Sequence, residues 1–411
     1  MENLHWTSKR ARQFATGVPE AVVSQGCCTK AENLPAGCVS LILELLGQTA
    51  AAGGHTALGK AVDRCQSQGL TPRLAYDLSD EAGLAADLAD FLAGLEPLSA
   101  QERQAVADSN CVTLGMAMYI CILADLAVKN ADITLTMNLE AVRGELGAFD
   151  SRLHEIGRPY QGQIQCAENV RRINEGSQMT TDEGRYAYGY DTKPRVQDAI
   201  CIRAAPQTHG GVRDVLHWCQ KQVLRDWEQH SRELYRTEYA MNALATALAD
   251  LTHISERRAF RLNDSKLSYG LPMSLIPDEL GINHGFAIIQ STQAAETAEV
   301  KLLTLPTAAM KRRGECLAYL AVSRQFELVK KMNRVLAVEA LMSAQGMDIV
   351  RMKVPGRAFG KGSEAALACL RQRVALQDRN RFVAPDMISA EDLISSGAVL
   401  QAVEAAVGEL Q

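Results

Sequence analysis

Cys111-Val112-Thr113-Leu114-Gly115-Met116-Ala117-Met118-Tyr119-Ile120-Cys121-Ile122-Leu123-Ala124 is the most apolar stretch of the chain, and Asp125 interrupts it. A run of this length matches a buried core helix and falls well short of the roughly 20 residues that span a bilayer, so it reads as interior. Asp108-Ser109-Asn110 places capping side chains immediately before it. Outward from this segment, helical spacing dominates. Met241, Leu244, Leu248 and Leu251 recur at intervals of three and four, as do Leu328, Met332, Val335, Val338 and Met342, and each stripe predicts a core face. Pro194, Pro206, Pro272, Pro306 and Pro355 punctuate the gaps. Strand-like alternation is scarce and leaves at most short extended pieces near Ile133 to Thr136. No internal repeat or low-complexity segment is present, and no shift of composition marks a boundary, so a single helical domain over residues 1–411 is expected.

Composition agrees with an all-α protein. Apolar residues make up 47% of the chain and aromatic residues only 5%, with Ala and Leu prominent throughout. The net charge is −5 and the basic residues are scattered apart from Lys311-Arg312-Arg313, so no basic stripe exists for nucleic acid. The eleven cysteines are odd in number, with Cys27-Cys28 adjacent and no CxxC pair. That pattern argues against a disulfide framework or a zinc ribbon and fits a reducing cytoplasm. Met1 to Phe14 has no apolar core and is not read as a secretory signal.

Few motifs carry chemistry alone. Gly54-His55-Thr56-Ala57-Leu58-Gly59-Lys60 fits GxxxxGK, but Ala61 stands where a magnesium-binding hydroxyl is required and no strand precedes it, so it is taken as a chance match. The histidines form no HExxH pair and no metal site is expected; no GxSxG elbow nominates a nucleophile. Between Asn174 and Lys193, Gly176, Gly184 and Gly189 interleave with Tyr186, Tyr188 and Tyr190. This segment is either a lid over a pocket or a crossover packing its rings on neighbouring helices, and the second reading is preferred.

Several blocks carry a family resemblance. Leu139-Glu140-Ala141-Val142-Arg143-Gly144-Glu145-Leu146-Gly147-Ala148-Phe149-Asp150, followed by Arg158-Pro159-Tyr160-Gln161-Gly162-Gln163, resembles the histidine and phenylalanine ammonia-lyases. So do Val196-Gln197-Asp198-Ala199-Ile200-Cys201-Ile202-Arg203-Ala204-Ala205-Pro206-Gln207, Ile254-Ser255-Glu256-Arg257-Arg258, Gly270-Leu271-Pro272, and Gly281-Ile282-Asn283-His284-Gly285-Phe286. Arg334 to Glu339, Asp378-Arg379 and Pro385-Asp386 continue the order, collinear from about Gln13. The resemblance implies an elongated bundle of long, nearly parallel helices, assembled as a homotetramer whose subunits share each site. It also implies a methylidene-imidazolone, an electrophile that the family makes by cyclising an internal Ala-Ser-Gly.

This chain contains no Ala-Ser-Gly, and where the family carries it stands Ala50-Ala51-Ala52-Gly53-Gly54. The expectation is therefore that the electrophile does not form and that no cofactor is used. The chain is also expected to lack the family's N-terminal tyrosine loop, and the segments between Val223 and Tyr239 and between Pro306 and Glu315 look shortened. By resemblance, Arg203 takes a substrate carboxylate, with Gln197 and Asn283 also holding substrate, a role suited to a planar guanidinium. Glu315 falls on the family's glutamate near the substrate amine, although Cys316 and Leu317 depart from the family pattern. Asp108 replaces an asparagine and Ile200 a tyrosine. Against these roles stand plainer ones: Arg203 as a salt-bridge partner, Gln197 as a helix cap, Glu315 as a surface residue.

Two functions follow as expectations. The preferred one is a cytoplasmic, cofactor-independent lyase, isomerase or cyclase for a small carboxylated substrate, with Asp108, Glu315, Tyr188 or Tyr190 moving a proton. The alternative is a non-catalytic homologue, including a hetero-oligomer partner that completes sites in a full-length relative. Neither a membrane nor nucleic acid is expected as a partner.

Overall fold

The apolar run at Cys111 belongs to a helix, Cys111–Val142, that continues through Asp125 for 32 residues. The computed structural model describes residues 32–77, 80–193, 195–277 and 281–411. Met1 to Phe14, Cys27-Cys28, Pro194 and the start of collinearity near Gln13 lie outside them. Fifteen α-helices stand among the described residues against one antiparallel pair of two-residue strands, Glu32–Asn33 with Ala75–Tyr76, so the all-α expectation is met. The extended pieces expected near Ile133 to Thr136 are instead helical. Thr134 and Thr136 give their hydroxyls to the carbonyls of Ala131 at 3.2 Å and Asp132 at 2.7 Å, which removes the polar cost of β-branched residues inside a helix. Two helical regions, Ala36–Gly53 and Ala100–Val142, are apolar and long enough to cross a bilayer, and the apolar window of the second is 89% buried, as in a core helix.

The described residues group into two compact units. The first takes the chain up to Ala124, Leu216–Ala245 and Leu303–Val329. Here Ala36–Gly53 crosses the start of Cys111–Val142 at Gly115, where a Cβ would stand 2.5 Å from Ile42 Cγ1 and 3.1 Å from the Ile42 backbone. Glu102 then joins two further helices. It closes a capping box with Ser99 at the start of Ala100–Asp108, and its Oε1 also accepts the N–H groups of Ala57 at 2.8 Å and Leu58 at 3.1 Å, at the start of Thr56–Gln68. The Ser99 N–H and hydroxyl, with the Leu58 and Ala57 N–H groups, hold its carboxyl down at about 2. Asn110, at φ +54°, donates Nδ2 to the carbonyls of Ser231 at 2.9 Å and Arg232 at 3.2 Å and so fixes the turn after Ala205–Glu228.

The second unit takes Asp125–Val215, Thr246–Leu302 and Lys330–Gln411. Its centre is Glu339, fully buried on Ala318–Lys353. Glu339 accepts from Arg258 Nη2 at 2.9 Å, Ser255 Oγ at 2.6 Å and Thr134 Oγ1 at 2.9 Å, tying three long helices at one carboxylate. Asp132 does the same beside it, taking His209 Nδ1 at 2.7 Å, Arg213 Nη2 at 2.6 Å and Asn169 Nδ2 at 2.9 Å. Burial opposes its charge, but Arg213 and His209 prevail and hold the carboxyl at about 2. Both apolar stripes read from the sequence, at Met241 and at Leu328, are buried.

Glu140 is built differently. It accepts from Asn174 Nδ2 at 2.8 Å, Ser177 Oγ at 2.8 Å and Gly360 N–H at 2.7 Å, with no cation paired to it among the described residues. Burial therefore pushes its carboxyl up from 4.5 to about 8. The folded chain keeps a proton that the unfolded chain releases, so this group's contribution to stability is complete below pH 4.5 and is lost as pH rises towards 8. Relative to Glu140→Gln, the wild type is expected to lose on the order of a few kcal/mol between pH 5 and pH 8.5. Paired denaturant titrations check this, and a pH-independent difference refutes it. Asn110→Ala strains a left-handed residue and frees two carbonyls, so it should cost about 1–2 kcal/mol in urea unfolding. Asn110→Gly, which relieves the strain alone, should recover only part.

Candidate functional site

Three segments of the first unit converge on a cleft of about 420 Å³, a volume suited to a small molecule. The first segment is the end of Ala36–Gly53. Its last turn closes on Gly54 at φ +67°, His55 N–H returns to the Ala50 carbonyl at 2.9 Å, and His55 then precedes the helix Thr56–Gln68. The imidazole rests on Gly53, where a Cβ would lie 2.5 Å from its Cδ2. The GxxxxGK match is thus a helix end followed by a helix start, with Thr49 and His55 on the cleft wall. The second segment is Ala100–Asp108, which contributes Gln101, Gln104, Ala105 and Asp108, followed by Ser109. Gln104 Nε2 donates to Asp108 Oδ1 at 2.9 Å across one turn, and the rest of that exposed carboxylate stays open.

The third segment is the end of Ala205–Glu228 with its following turn, which contributes Asp226, Trp227, His230 and Ser231. Asp226 is buried and spent: it accepts from Thr237 N–H and Thr237 Oγ1, both at 2.9 Å, and pairs with Arg236 at 3.1 Å. Trp227 meets the His230 ring edge-on at 6.2 Å, and His230 sits at φ +48° in the turn that Asn110 pins. The cleft therefore offers a carboxylate, two imidazoles and several hydroxyls for proton transfer, and among the described residues its lining contains neither lysine nor arginine.

Of the residues singled out from the sequence, Asp108 lines this cleft and the others do not. Glu315, in the same unit, is exposed and accepts the N–H groups of Arg312 at 3.0 Å and Arg313 at 2.8 Å, which hold its carboxyl at about 2. It is engaged in its own turn. The rest belong to the second unit. Tyr188 ends a short helix, Asp182–Tyr188, inside the segment read as a loop. Its buried ring lies between Arg143, 3.7 Å from the centroid, and Lys353 at 4.0 Å, while its hydroxyl donates to the Gly270 carbonyl at 3.0 Å. Burial raises that hydroxyl above its ordinary range. Tyr190 is 46% exposed, with its ring against Gly270. Asn283 is buried, and its Oδ1 accepts the Asn380 N–H at 3.0 Å. Gln197 is exposed. Arg203 closes the four-residue helix Ile200–Arg203, forms no ion pair among the described residues, and keeps a buried Nε without a hydrogen-bond partner. It is not the salt-bridge partner that the plainer reading held open.

Sequence reasoning missed His55, Trp227 and His230. His55 lay inside a motif judged only as a phosphate loop; Trp227 and His230 lay in a segment noted only as shortened. One further cluster, Asp132, Cys166 and His209, brings ligand-type atoms within 4.8 Å of one another. The 2.7 Å contact between Asp132 and His209 is a hydrogen bond too short to span a metal, and Arg213 already holds the second carboxylate oxygen, so these residues do not fit an ion.

The family model for aromatic amino acid lyase matches residues 79–231 and 235–372. Histidine ammonia-lyase of Alkaliphilus oremlandii is 30% identical over 348 residues, 78% of this chain and 65% of the relative. The Streptomyces griseus enzyme is 32% identical over 343 residues, 77% of this chain and again 65% of the relative, so the chain spans just under two thirds of these proteins. Among solved structures, tyrosine aminomutase from Streptomyces globisporus superposes with a TM-score of 0.81 at 23% identity, covering 98% of this chain and 86% of that one. Histidine ammonia-lyase from Trypanosoma cruzi gives 0.75 at 20% identity, covering 97% and 89%. These two show the shared fold. Ala50 to Gly54 precedes the matched region. The chain belongs to the aromatic amino acid lyase family.

Proposed function

We propose that the chain is a divergent enzyme of this family, a lyase, isomerase or cyclase that acts on a small carboxylate-bearing substrate without methylidene-imidazolone. The observation that carries this reading is the cleft itself. Asp108, His55 and the turn at His230 meet beside Ala50 to Gly54, a segment with no serine to lose as water. In this reading Ala50 to Gly54 takes the place of the family's tripeptide, and no step passes through the missing group. Asp108 takes a proton from an activated carbon, and its conjugate acid returns one to the leaving group or to the neighbouring carbon. Positioned proton transfer of this kind supplies roughly 10²–10⁴-fold, enough for an activated substrate and too little for amino acid deamination. Arg203, in the second unit, stands as the carboxylate-holding group of the proposal, since its buried Nε has no hydrogen-bond partner among the described residues. Gln197 and Asn283 stand as further substrate-holding groups, and Tyr190 keeps a proton-transfer role open. A homotetramer in a reducing cytoplasm completes the proposal; the nine described cysteines are free thiols.

The alternative is a non-catalytic homologue or a partner subunit of a full-length relative. What favours it is that Tyr188 and Glu315 are engaged in structural contacts.

Purified protein incubated with histidine, phenylalanine or tyrosine should release no urocanate, cinnamate or coumarate, followed by ultraviolet absorbance; any of these products ends the cofactor-independent reading. Arg203→Ala should weaken calorimetric binding of 3-phenylpropionate about 10–100-fold while the melting temperature stays put, as expected for a charge-assisted hydrogen-bonded pair. Unfolding of that variant would assign Arg203 to the scaffold.

A further inference from the structure

We propose that Arg158 and Arg203 form a paired anion site, and that the small substrate carries two carboxylates, one for each guanidinium. The inference deepens the functional reading by giving the substrate class, and it rests on that reading in placing one carboxylate at Arg203.

The backbone brings the two arginines together. Gln161–Ile173 and Ala205–Glu228 cross at a pair of glycines, where a Cβ on Gly162 would stand 2.2 Å from the Gly210 carbonyl oxygen and one on Gly210 would stand 2.5 Å from the Gln163 nitrogen. That close approach sets Arg158, just before the first helix, beside Gln207 in the first turn of the second. In the orientation that satisfies both of its ends, the Gln207 amide donates Nε2 to the Ala204 carbonyl at 3.1 Å and accepts from Arg158 Nη1. Arg203 stands one turn before Gln207. The coil runs on between them, with Ala204 N–H on the Ile200 carbonyl at 2.9 Å and Thr208 N–H on the Ala204 carbonyl at 3.2 Å. Residues one turn apart lie about 5–6 Å from each other at Cβ, a span that a succinate-type frame bridges.

Charge supplies the second support. The acids on the surrounding segments are engaged elsewhere: Asp150 pairs with Arg152 at 2.6 Å, Glu155 with Arg171 at 3.9 Å and Asp198 with Arg195 at 3.3 Å, while Asp214 accepts the Gly162 N–H at 3.2 Å. Among the described residues no carboxylate pairs with Arg158 or Arg203, and Arg203 holds a buried Nε without a hydrogen-bond partner. Arg158 is exposed and Arg203 half-buried, so a ligand reaches the pair from solvent. Each guanidinium offers a carboxylate two parallel donors, and the Gln207 amide braces one of the two forks without neutralising it. Two like charges on one face favour a ligand that neutralises both over a ligand that neutralises one.

The test titrates a matched pair of probes into the full-length protein by calorimetry: 3-phenylpropionate, and 2-benzylsuccinate, which is the same acid carrying a second carboxylate. The diacid is expected to bind about tenfold or more tightly than the monoacid at about pH 7.5 and low salt, with the advantage shrinking as salt screens it. Arg158→Ala should erase that advantage and leave 3-phenylpropionate binding within about twofold of the wild type, whereas Arg203→Ala should weaken both probes. Gln207→Glu gives Arg158 a carboxylate from its own chain and should erase the advantage in the same way; circular dichroism verifies that the variants fold. Equal binding of the two probes, binding of neither, or a diacid advantage that survives Arg158→Ala or Gln207→Glu overturns the proposal. Where diacids bind through both arginines and none is turned over, this inference stands and the catalytic reading goes. Binding of 3-phenylpropionate governed by Arg203, with no diacid advantage, does the reverse.

Discussion

A carboxylate buried among helices must gather its donors from whatever elements surround it, and in this chain that requirement decides which helices meet. Glu339 collects Arg258, Ser255 and Thr134 and so fixes the relation of three long helices at one point. Asp132 collects His209, Arg213 and Asn169. Apolar stripes alone leave long helices free to slide, because one leucine layer resembles the next; a carboxylate with specific donors admits one register. Glu102 plays this part for the site. By capping Ala100–Asp108 and Thr56–Gln68 together, it sets the helix that ends at Asp108 against the helix that begins after His55.

The long helices were legible because their signal is local. The stripe from Met241 to Leu251 and the run at Cys111 are periodic over many residues, and both fold as read. The misreading at Ile133 to Thr136 came from β-branched residues, whose strand preference was overruled by helix carbonyls and by Glu339, 205 positions from Thr134. Proline spacing marked the gaps but not their content, and the short helix Asp182–Tyr188 sits where glycine and tyrosine suggested a loop.

The site was legible in one residue, Asp108, and there only through family likeness. Tyr188 was singled out as a proton carrier because its hydroxyl is chemically able, yet the structure stacks its ring between two cations brought from Arg143 and Lys353. Nothing in the residues flanking Tyr188 announces those neighbours. Glu315 was chosen by alignment and spends its oxygens on its own turn. His55 went unnoticed because its significance depends on what its ring touches, and Trp227 and His230 because their placement depends on Asn110, about 120 residues away in sequence and joined to their turn by two hydrogen bonds.

The segment Ala51-Ala52-Gly53 differs from Ala-Ser-Gly by a single residue, so a lone Ala52→Ser change writes that tripeptide into the chain. The backbone there is wound into the final turn of a helix, closed by a left-handed Gly54 and roofed by an imidazole. Ring closure joins the amide nitrogen of the third residue to the carbonyl carbon of the first, and here the Ala51 carbonyl accepts the Gly54 N–H at 3.4 Å within the helix end. Letters and conformation are separate requirements at this spot: one substitution supplies the tripeptide, while the backbone that carries it stays the last turn of a helix.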